Sequence, residues 1–238
     1  GYAGWCDLAV AADGAAMAIW HLDSSSSYSI QANWFNGTSW AGAQQVEAAA
    51  AGWMRPQVAV SETGTAVAAW VRGVGASDLR AAQFDGASWG APVLLESLDG
   101  VVGQPPSVAV APDGKAVVVW TQNDGVEESV FANFFNGSAW GGAVPVEHSD
   151  LWVDAGSARV GFAPDGTAIA VWVGEESGRL AIFYSHFNGS TWGQEATIPF
   201  PESAEEPCLD IAPDGHAVVA WRTYSGGDWG VWTSIYRP

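Results

Sequence analysis

Short apolar segments separated by polar turns recur along the whole chain. In one stretch, SVAVA at 107–111 and AVVVW at 116–120 flank a Pro-Asp-Gly turn. Apolar runs of this length between turn residues are typical of strands buried on both faces. No window has the period of a helix. The pattern of this stretch predicts four strands, at roughly Ser107–Ala111, Lys115–Thr121, Ser129–Phe135 and Ala139–Glu147.

Two tryptophan positions mark each copy of this pattern. The first ends an apolar strand six residues after a turn glycine, and its copies step by 50, 50, 52 and 49 residues. These copies are Trp20, Trp70, Trp120, Trp172 and Trp221. The second lies three residues after an Asn-Gly or Asp-Gly pair, the strongest short-range signal for a β-hairpin. Its copies are Trp40, Trp89, Trp140 and Trp192.

Four strands in each repeat of about 50 residues predict a β-propeller. Five repeats predict five four-stranded antiparallel blades in a single all-β domain over residues 1–238, with units at roughly 1–50, 51–100, 101–151, 152–203 and 204–238. A β-solenoid is the rival fold, but its repeats are usually shorter and lack tight hairpins. The fifth unit ends after its third strand, so we expect the last blade to lack an outer strand. A three-stranded blade, pairing by the first five residues, and a strand from another chain all remain open.

The phrase PDGxAxxxW…FNGxxW resembles the repeats of secreted bacterial propeller proteins, many of them without an assigned role, and this resemblance covers the whole chain. Five blades in about 240 residues with many tryptophans are also similar to the architecture of tachylectin, a sugar-binding propeller. Tachylectin's own blade motif is absent here. The second resemblance therefore implies a lectin-like architecture and carries over no site residues.

The composition and the net charge of the chain disfavour some classes of binding partner. Hydrophobic residues make up 48% of the chain and charged residues 14%, which is ample for a packed core. The net charge of −18 disfavours nucleic acid and anionic lipid headgroups. There is no long apolar run and no basic-then-apolar leader at Gly1, so we expect a mature, secreted or cell-surface protein without membrane insertion. We expect no cofactor and no metal site.

The two cysteines fall at the starts of the inner strands of the first and fifth units. These units are neighbours in a closed ring, so the sequence predicts a disulfide between Cys6 and Cys208. Two buried free thiols are the alternative. A disulfide would support an oxidising, extracellular location.

Candidate ligand-binding residues are tryptophans, because a flat indole can stack on the apolar face of a sugar ring. The strand-two tryptophans are assigned to packing between blades. The outer and loop tryptophans are the candidate ligand contacts, with hairpin packing as the alternative for the outer ones. They are Trp5, Trp53, Trp152, Trp40, Trp89, Trp140 and Trp192.

Acidic residues are the other candidates. Twelve carboxylates, Asp154 and Glu206 among them, fall in loops of one rim, which we interpret as a solvated face. A glycoside hydrolase needs converging carboxylates, and Asp7 and Asp210 on inner strands of neighbouring blades are the best pair. Because the blades are nearly alike, we expect no catalytic residues and no enzyme.

The sequence thus predicts a non-catalytic, multivalent glycan-binding module. The alternative is a structural or protein-interaction unit of a surface assembly, with strand addition or self-association at the edge of the fifth blade.

Overall fold

The protein is built from antiparallel β-sheets. The structure, a computed structural model, describes residues 1–24, 27–49, 55–73, 77–103, 105–149, 152–154 and 156–237. In these residues there are nineteen strands in five sheets, four of four strands and one of three. No helix occurs among them, and hence none that is long and apolar enough to cross a membrane.

Each sheet is formed by one sequence repeat, with its strands in sequential order. The first two blades contain β1 (Tyr2–Val10), β2 (Ala16–Ser24), β3 (Ser27–Phe35), β4 (Gln44–Ala49), β5 (Gln57–Val60), β6 (Ala66–Arg72), β7 (Asp78–Phe84) and β8 (Val93–Leu94). The third and fourth contain β9 (Ser107–Val110), β10 (Ala116–Asn123), β11 (Glu128–Phe135), β12 (Val144–Pro145), β13 (Arg159–Phe162), β14 (Ala168–Glu176), β15 (Arg179–Phe187) and β16 (Ala196–Thr197). The fifth contains β17 (Glu205–Ile211), β18 (Ala217–Ser225) and β19 (Asp228–Tyr236).

The blades are arranged side by side through their first strands. β1 contacts β5, β5 contacts β9, β9 contacts β13, and β13 contacts β17. This arrangement confirms the five-bladed propeller and the missing outer strand of the last blade. The outer strands are shorter than predicted, because the outer tryptophans form isolated bridges to strand three before the ladder resumes.

The turn residues act locally, as their chemistry predicts. The Asp113 carboxylate accepts the backbone N–H of Lys115 at 3.1 Å, and Gly114 has a φ of +82°. In the hairpin between strands three and four, the Asn136 side-chain oxygen accepts the N–H of Ser138 at 2.9 Å. Short polar side chains that bond the backbone two residues onward favour such turns. The aspartate contact recurs in the first, fourth and fifth blades, and the hairpin contact recurs in the first, second and fourth, so local sequence closes these pairs of strands.

The strand-two tryptophans join successive blades, as the sequence analysis predicts. Trp70 is fully buried in one cluster with Met17 and Ile19 of the preceding blade. Its indole N–H donates to Glu47 of that blade at 2.6 Å. Trp120, Trp172 and Trp221 are also buried, whereas Trp20 has no preceding blade to pack on and is only half-buried. The four buried tryptophans therefore fix the order and spacing of the blades.

The outward faces of the first and fifth blades are exposed. Leu8 and Val10 on β1 are 59% and 63% exposed, and Val218 and Val231 on the fifth blade are 40% and 77% exposed. Among the described residues, β1 and β17 make no contact comparable to those between successive inner strands.

The predicted disulfide is wrong. Cys6 and Cys208 are both free and exposed. Cys6 lies opposite Trp20 on the outward face of the first blade, and Cys208 lies opposite Ala220 on the outward face of the fifth. Because these two faces are not packed together, the two thiols are not brought into bonding contact.

Candidate active site between the fourth and fifth blades

One position on the inner strand has a different residue in each of the five blades. In every blade one inner-strand residue pairs with the residue just before the strand-two tryptophan. The surrounding repeat is apolar and regular, but this position has a different residue in each copy. These residues are Asp7, Gln57, Ser107, Arg159 and Cys208. We call them the polar ring.

Two members of the polar ring connect neighbouring blades. Asp7 accepts the backbone N–H of Val58 in the second blade at 2.8 Å, and Ser107 accepts that of Val160 in the fourth at 3.0 Å. Asp7 therefore faces the second blade. Asp210 is exposed opposite Val218 on the outward face of the fifth blade. The structure does not bring Asp7 and Asp210 together as a catalytic pair.

The fourth and fifth blades enclose a cleft beside the polar ring. Its volume is about 380 Å³. We call it the inner cleft, and its lining consists of Asp154, Gly156, Ser157, Arg159, Glu206, Pro207 and Cys208.

The loop on the fourth-blade side of the inner cleft is held by hydrogen bonds to two blades. The N–H of Asp154 donates to the carbonyl of Val173 at 3.0 Å, and the N–H of Gly156 donates to the Thr121 hydroxyl of the third blade at 2.7 Å. The Ser157 hydroxyl accepts the N–H of Val173 at 3.1 Å. Asp154 is thus presented on a fixed backbone, which favours a defined position of its carboxyl group.

The fifth-blade side of the inner cleft begins with an irregular strand. The register of β17 shifts between Glu205 and Cys208, and Glu206 has a φ of +50°. A non-glycine residue in this region costs roughly 1 kcal/mol or more and often occurs at functional sites. Arg222 holds both acids from the next strand, at 3.2 Å from Glu205 and 3.1 Å from Glu206.

The inner cleft shifts the pKa values of two of its charged residues, Asp154 and Arg159. Partial burial, and then the charges of Glu205 and Glu206, raise the pKa of Asp154 although the residue itself is solvent-accessible. Burial lowers the pKa of Arg159, while Cys208 and Glu206 act in the opposite direction. The Arg159 guanidinium also donates to two backbone carbonyls of the loop. A carboxyl group whose pKa is raised thus shares one cleft with a second carboxyl group, which is the usual basis of acid–base pairs.

The predicted tryptophan set does not form one site. Trp5 stacks near His21, with ring centroids 5.8 Å apart, and the Arg55 guanidinium lies 5.3 Å from its ring. Trp152 is 45% exposed in the loop that leads to Asp154. Trp53 lies outside the described residues.

The outer tryptophans pack against the last residue of strand three, with ring centroids 5.3 to 5.5 Å apart. This contact recurs in four blades and closes the hairpin. Trp40 is 50% exposed and Trp89 is half-buried. Trp140 and Trp192 are the pair that the fold brings together, because both line one groove between the third and fourth blades.

Sequence reasoning did not identify the inner cleft. Asp154 and Glu206 were assigned to an acidic, solvated rim, and Arg159 was not singled out. One sequence feature could have pointed to it: the polar-ring position, which includes Arg159, is structurally equivalent in all blades but has a different residue type in each. In a repeat protein such a break of symmetry is expected where one blade has a specific role.

Comparisons with known proteins identify similar folds but do not assign the chain to a family. No protein-family model matches the chain, and no curated protein matches it. Among solved structures, it is similar to a protein of unknown function from Dyadobacter fermentans DSM 18053, with a TM-score of 0.63, 13% identity and coverage of 98% of this chain and 78% of the other. An ulvan lyase from a new polysaccharide lyase family has a TM-score of 0.61 at 12% identity over 95% of this chain and 66% of its own.

The Hadza microbial sialidase Hz136 has a TM-score of 0.56 at 14% identity, over 89% of this chain. The chain spans about half of the sialidase and about two thirds of the ulvan lyase. At these identities the likeness establishes the propeller fold, and those enzymes' activities are not transferred by it.

The comparisons correct two predictions. The neighbours that are named as acting on glycans are enzymes, including a sialidase, polysaccharide lyases and an α-L-arabinofuranosidase. The prediction of a non-catalytic lectin-like module is therefore wrong, and so is the prediction that the chain is not an enzyme. Both predictions assumed that the five blades are equivalent. The polar ring has a different residue in each blade, so they are not.

Proposed function

We propose that the protein is a carbohydrate-active enzyme that cleaves glycosidic bonds in the inner cleft. The observation that carries the proposal is that Asp154, whose pKa is raised, and Glu206 line one cleft together with the partly buried Arg159. Glycosidic bond cleavage needs a proton donor on one side of the bond and a carboxylate on the other. The glycan-active enzymes with this fold support the same class of chemistry.

In this mechanism Asp154 is the general acid. Its proton passes to the glycosidic oxygen as the bond to the anomeric carbon breaks, so that the leaving sugar departs as a neutral alcohol. The raised pKa keeps a larger share of the group protonated near neutral pH than an ordinary aspartate would have.

Glu206 is the second carboxylate. It accepts a proton from the water that attacks the anomeric carbon, and proton exchange with solvent then returns Glu206 and Asp154 to their starting forms. The Arg222 contact at 3.1 Å and the positive φ of Glu206 hold the carboxylate in place. Arg159 is a positioning residue that keeps positive charge beside the acids.

We expect the substrate to be a glycan chain of low charge density. The net charge of −18 repels a polyanion, although Arg159 offers one local positive charge. We also propose a secreted or cell-surface location, in line with the resemblance of the repeats to those of secreted propeller proteins. Glycans are then the partner, and nucleic acid and membranes are not.

The test is a turnover screen on neutral polysaccharides, aryl glycosides, sialosides and uronate-containing polysaccharides. Reducing ends detect hydrolysis, and ultraviolet absorbance of unsaturated products detects a lyase. We expect hydrolysis of a neutral glycan and a loss of about 10²- to 10⁴-fold in Asp154→Asn and in Glu206→Gln.

The matched control is Asp210→Asn, which removes an exposed carboxylate of the same strand outside the inner cleft. It should leave the rate unchanged. Absence of turnover on every substrate class, or equal rates in all three variants, would refute the proposal.

A further inference from the structure

A second concave site lies between the third and fourth blades, away from the inner cleft. Its volume is about 430 Å³, within the range of small-molecule sites. Its floor is apolar and aromatic, with Phe134 and Phe187 in contact at a centroid distance of 5.4 Å. Trp140 and Trp192 line it from the two facing hairpins. We call it the outer groove.

Polar groups stand at the edge of this aromatic floor. Asn136 and Ser190 belong to the two hairpins, and His148 follows the outer strand of the third blade. An aromatic floor with a few polar groups at its edge matches the amphipathic surface of a pyranose ring, which has apolar C–H faces and hydroxyls around its rim.

The fourth blade holds the imidazole of His148 in place. Glu195 Oε2 lies 2.9 Å from the backbone nitrogen and 3.2 Å from Nδ1 of His148. The Glu195 side chain is only 6% exposed. Burial raises the pKa of Glu195, but hydrogen bonds from Ser149, its own backbone and His148 outweigh burial and lower it overall. Because a carboxylate accepts, the contact places the ring proton on Nδ1 and leaves Nε2 for another partner.

This histidine–carboxylate pair is found at one blade junction only. By the repeat alignment, the position of Glu195 is occupied in the first three blades by Ala43, Pro92 and Ala143. The position of His148 is occupied in the other four-stranded blades by Ala48, Ser97 and Phe200. The general hairpin packing of the repeat does not require the pair, since the other blades close without it. His148 and Glu195, which both differ from the residues at the equivalent positions of the other blades, are 47 residues apart in the chain and meet at the edge of the same groove.

We propose that the outer groove is a second saccharide site, which binds a neutral pyranose unit of a glycan chain. Trp140 and Trp192 provide the aromatic surface, and Nε2 of His148 accepts a hydrogen bond from a sugar hydroxyl. The site is distinct from the inner cleft, and it anchors a chain without taking part in bond cleavage.

The charges around the outer groove select against acidic sugars. Glu195 contacts His148 at the edge of the groove, the charges of Glu127 and Glu195 both act on Glu147, and the whole chain is strongly acidic. Two arginines of this part of the chain, Arg159 and Arg179, are not among the residues that line the groove. A uronate or sulfated unit would therefore be bound more weakly than a neutral one.

The experiment is a titration of the full chain in the Asp154→Asn background, so that the result does not depend on turnover in the inner cleft. The probes are cellotetraose, mannotetraose and maltotetraose, with tetragalacturonate as the acidic comparison. Binding is followed by the indole N–H signals of ¹⁵N-labelled protein. We expect at least one neutral probe to shift the signals of Trp140 and Trp192, with a dissociation constant of about 0.1–1 mM.

Two variants locate the site. His148→Ala and Glu195→Gln should each weaken binding by about two- to tenfold, the loss of one hydrogen bond or of its orientation. Trp40→Ala, at the position of Trp140 in a blade without the histidine–carboxylate pair, should leave binding unchanged.

The proposal is overturned if no neutral probe binds, or if binding leaves the signals of Trp140 and Trp192 unshifted. It is also overturned if tetragalacturonate binds more tightly than every neutral probe, or if His148→Ala has no effect. Failure of the proposed catalysis would leave these binding results intact, and the reverse also holds.

Discussion

The Glu147→Gln variant should become more stable than the wild-type protein as the pH rises. Burial, which is the largest cause, raises the pKa of Glu147 from 4.5 to about 7, and the charges of Glu127 and Glu195 add to it. Hydrogen bonds from Ser129 and from the Val130 N–H act in the opposite direction. The native state therefore holds the Glu147 proton more tightly than the unfolded state does.

The sign and size of the effect follow from this shift. The stability that the protonated group contributes is fully present below about pH 4.5 and is lost as the pH rises to about 7. A shift of roughly 2.5 units corresponds to ~3.4 kcal/mol. Glu147 is partly exposed, so water screens the effect, and we expect roughly 1–2 kcal/mol. Glutamine is neutral at every pH and retains an oxygen for the Val130 N–H.

The assay is urea unfolding, followed by tryptophan fluorescence, at about pH 4.5 and about pH 8.5. Glu147→Gln should match the wild-type protein at the lower pH and exceed it by roughly 1–2 kcal/mol at the higher pH. The control is Glu47→Gln, the same position in the first blade. Glu47 accepts from Trp70 at 2.6 Å and pairs with Arg80 at 3.0 Å, so its replacement should destabilise the protein while removing the same charge. A stability difference for Glu147→Gln that does not change with pH would show that the native state does not raise the pKa of Glu147.

Two further predictions concern the blade junctions. Trp120→Ala should lower the free energy of unfolding by about 3–5 kcal/mol because the indole is fully buried between two blades, whereas Trp20→Ala should cost markedly less, as denaturant unfolding of both would show. Cys6 and Cys208 should both react with a maleimide in the folded protein, and mass spectrometry without reduction should find two labels; a mass two hydrogens lower and no label would contradict the open junction of the first and fifth blades.

Much of the fold could be predicted from local signals in the chain. The Asp-Gly and Asn-Gly turns set the strand pairs, and buried tryptophans at fixed spacing, such as Trp70 and Trp120, required a partner sheet on each side. Among the described residues, the first strands of the first and fifth blades make no contact comparable to those between successive blades, and this feature has no such signal. Cys6 and Cys208 lie at equivalent strand starts whether or not the two blades meet, so the spacing of the cysteines could not decide the disulfide.

The candidate active site was less accessible to sequence reasoning. The position of Arg159 differs from its equivalents in every blade, which is visible in one sequence once the repeats are aligned. The role of Asp154 is not visible, because its raised pKa depends on burial and on two carboxylates about 50 residues away in the chain. The irregular backbone at Glu206 likewise has no sequence marker, since it arises from the register shift in β17.

The most direct test of the inner cleft as an acid–base site is the pH dependence of kcat/KM on the best glycan substrate. We expect the rate to fall on the alkaline side as Asp154 loses its proton, at a pH above the usual range for aspartate. We also expect Asp154→Asn to lower the rate by about 10²- to 10⁴-fold and to remove this alkaline limb. An alkaline limb that persists unchanged in Asp154→Asn would contradict the assignment of the acid, and with it the proposed function of the inner cleft.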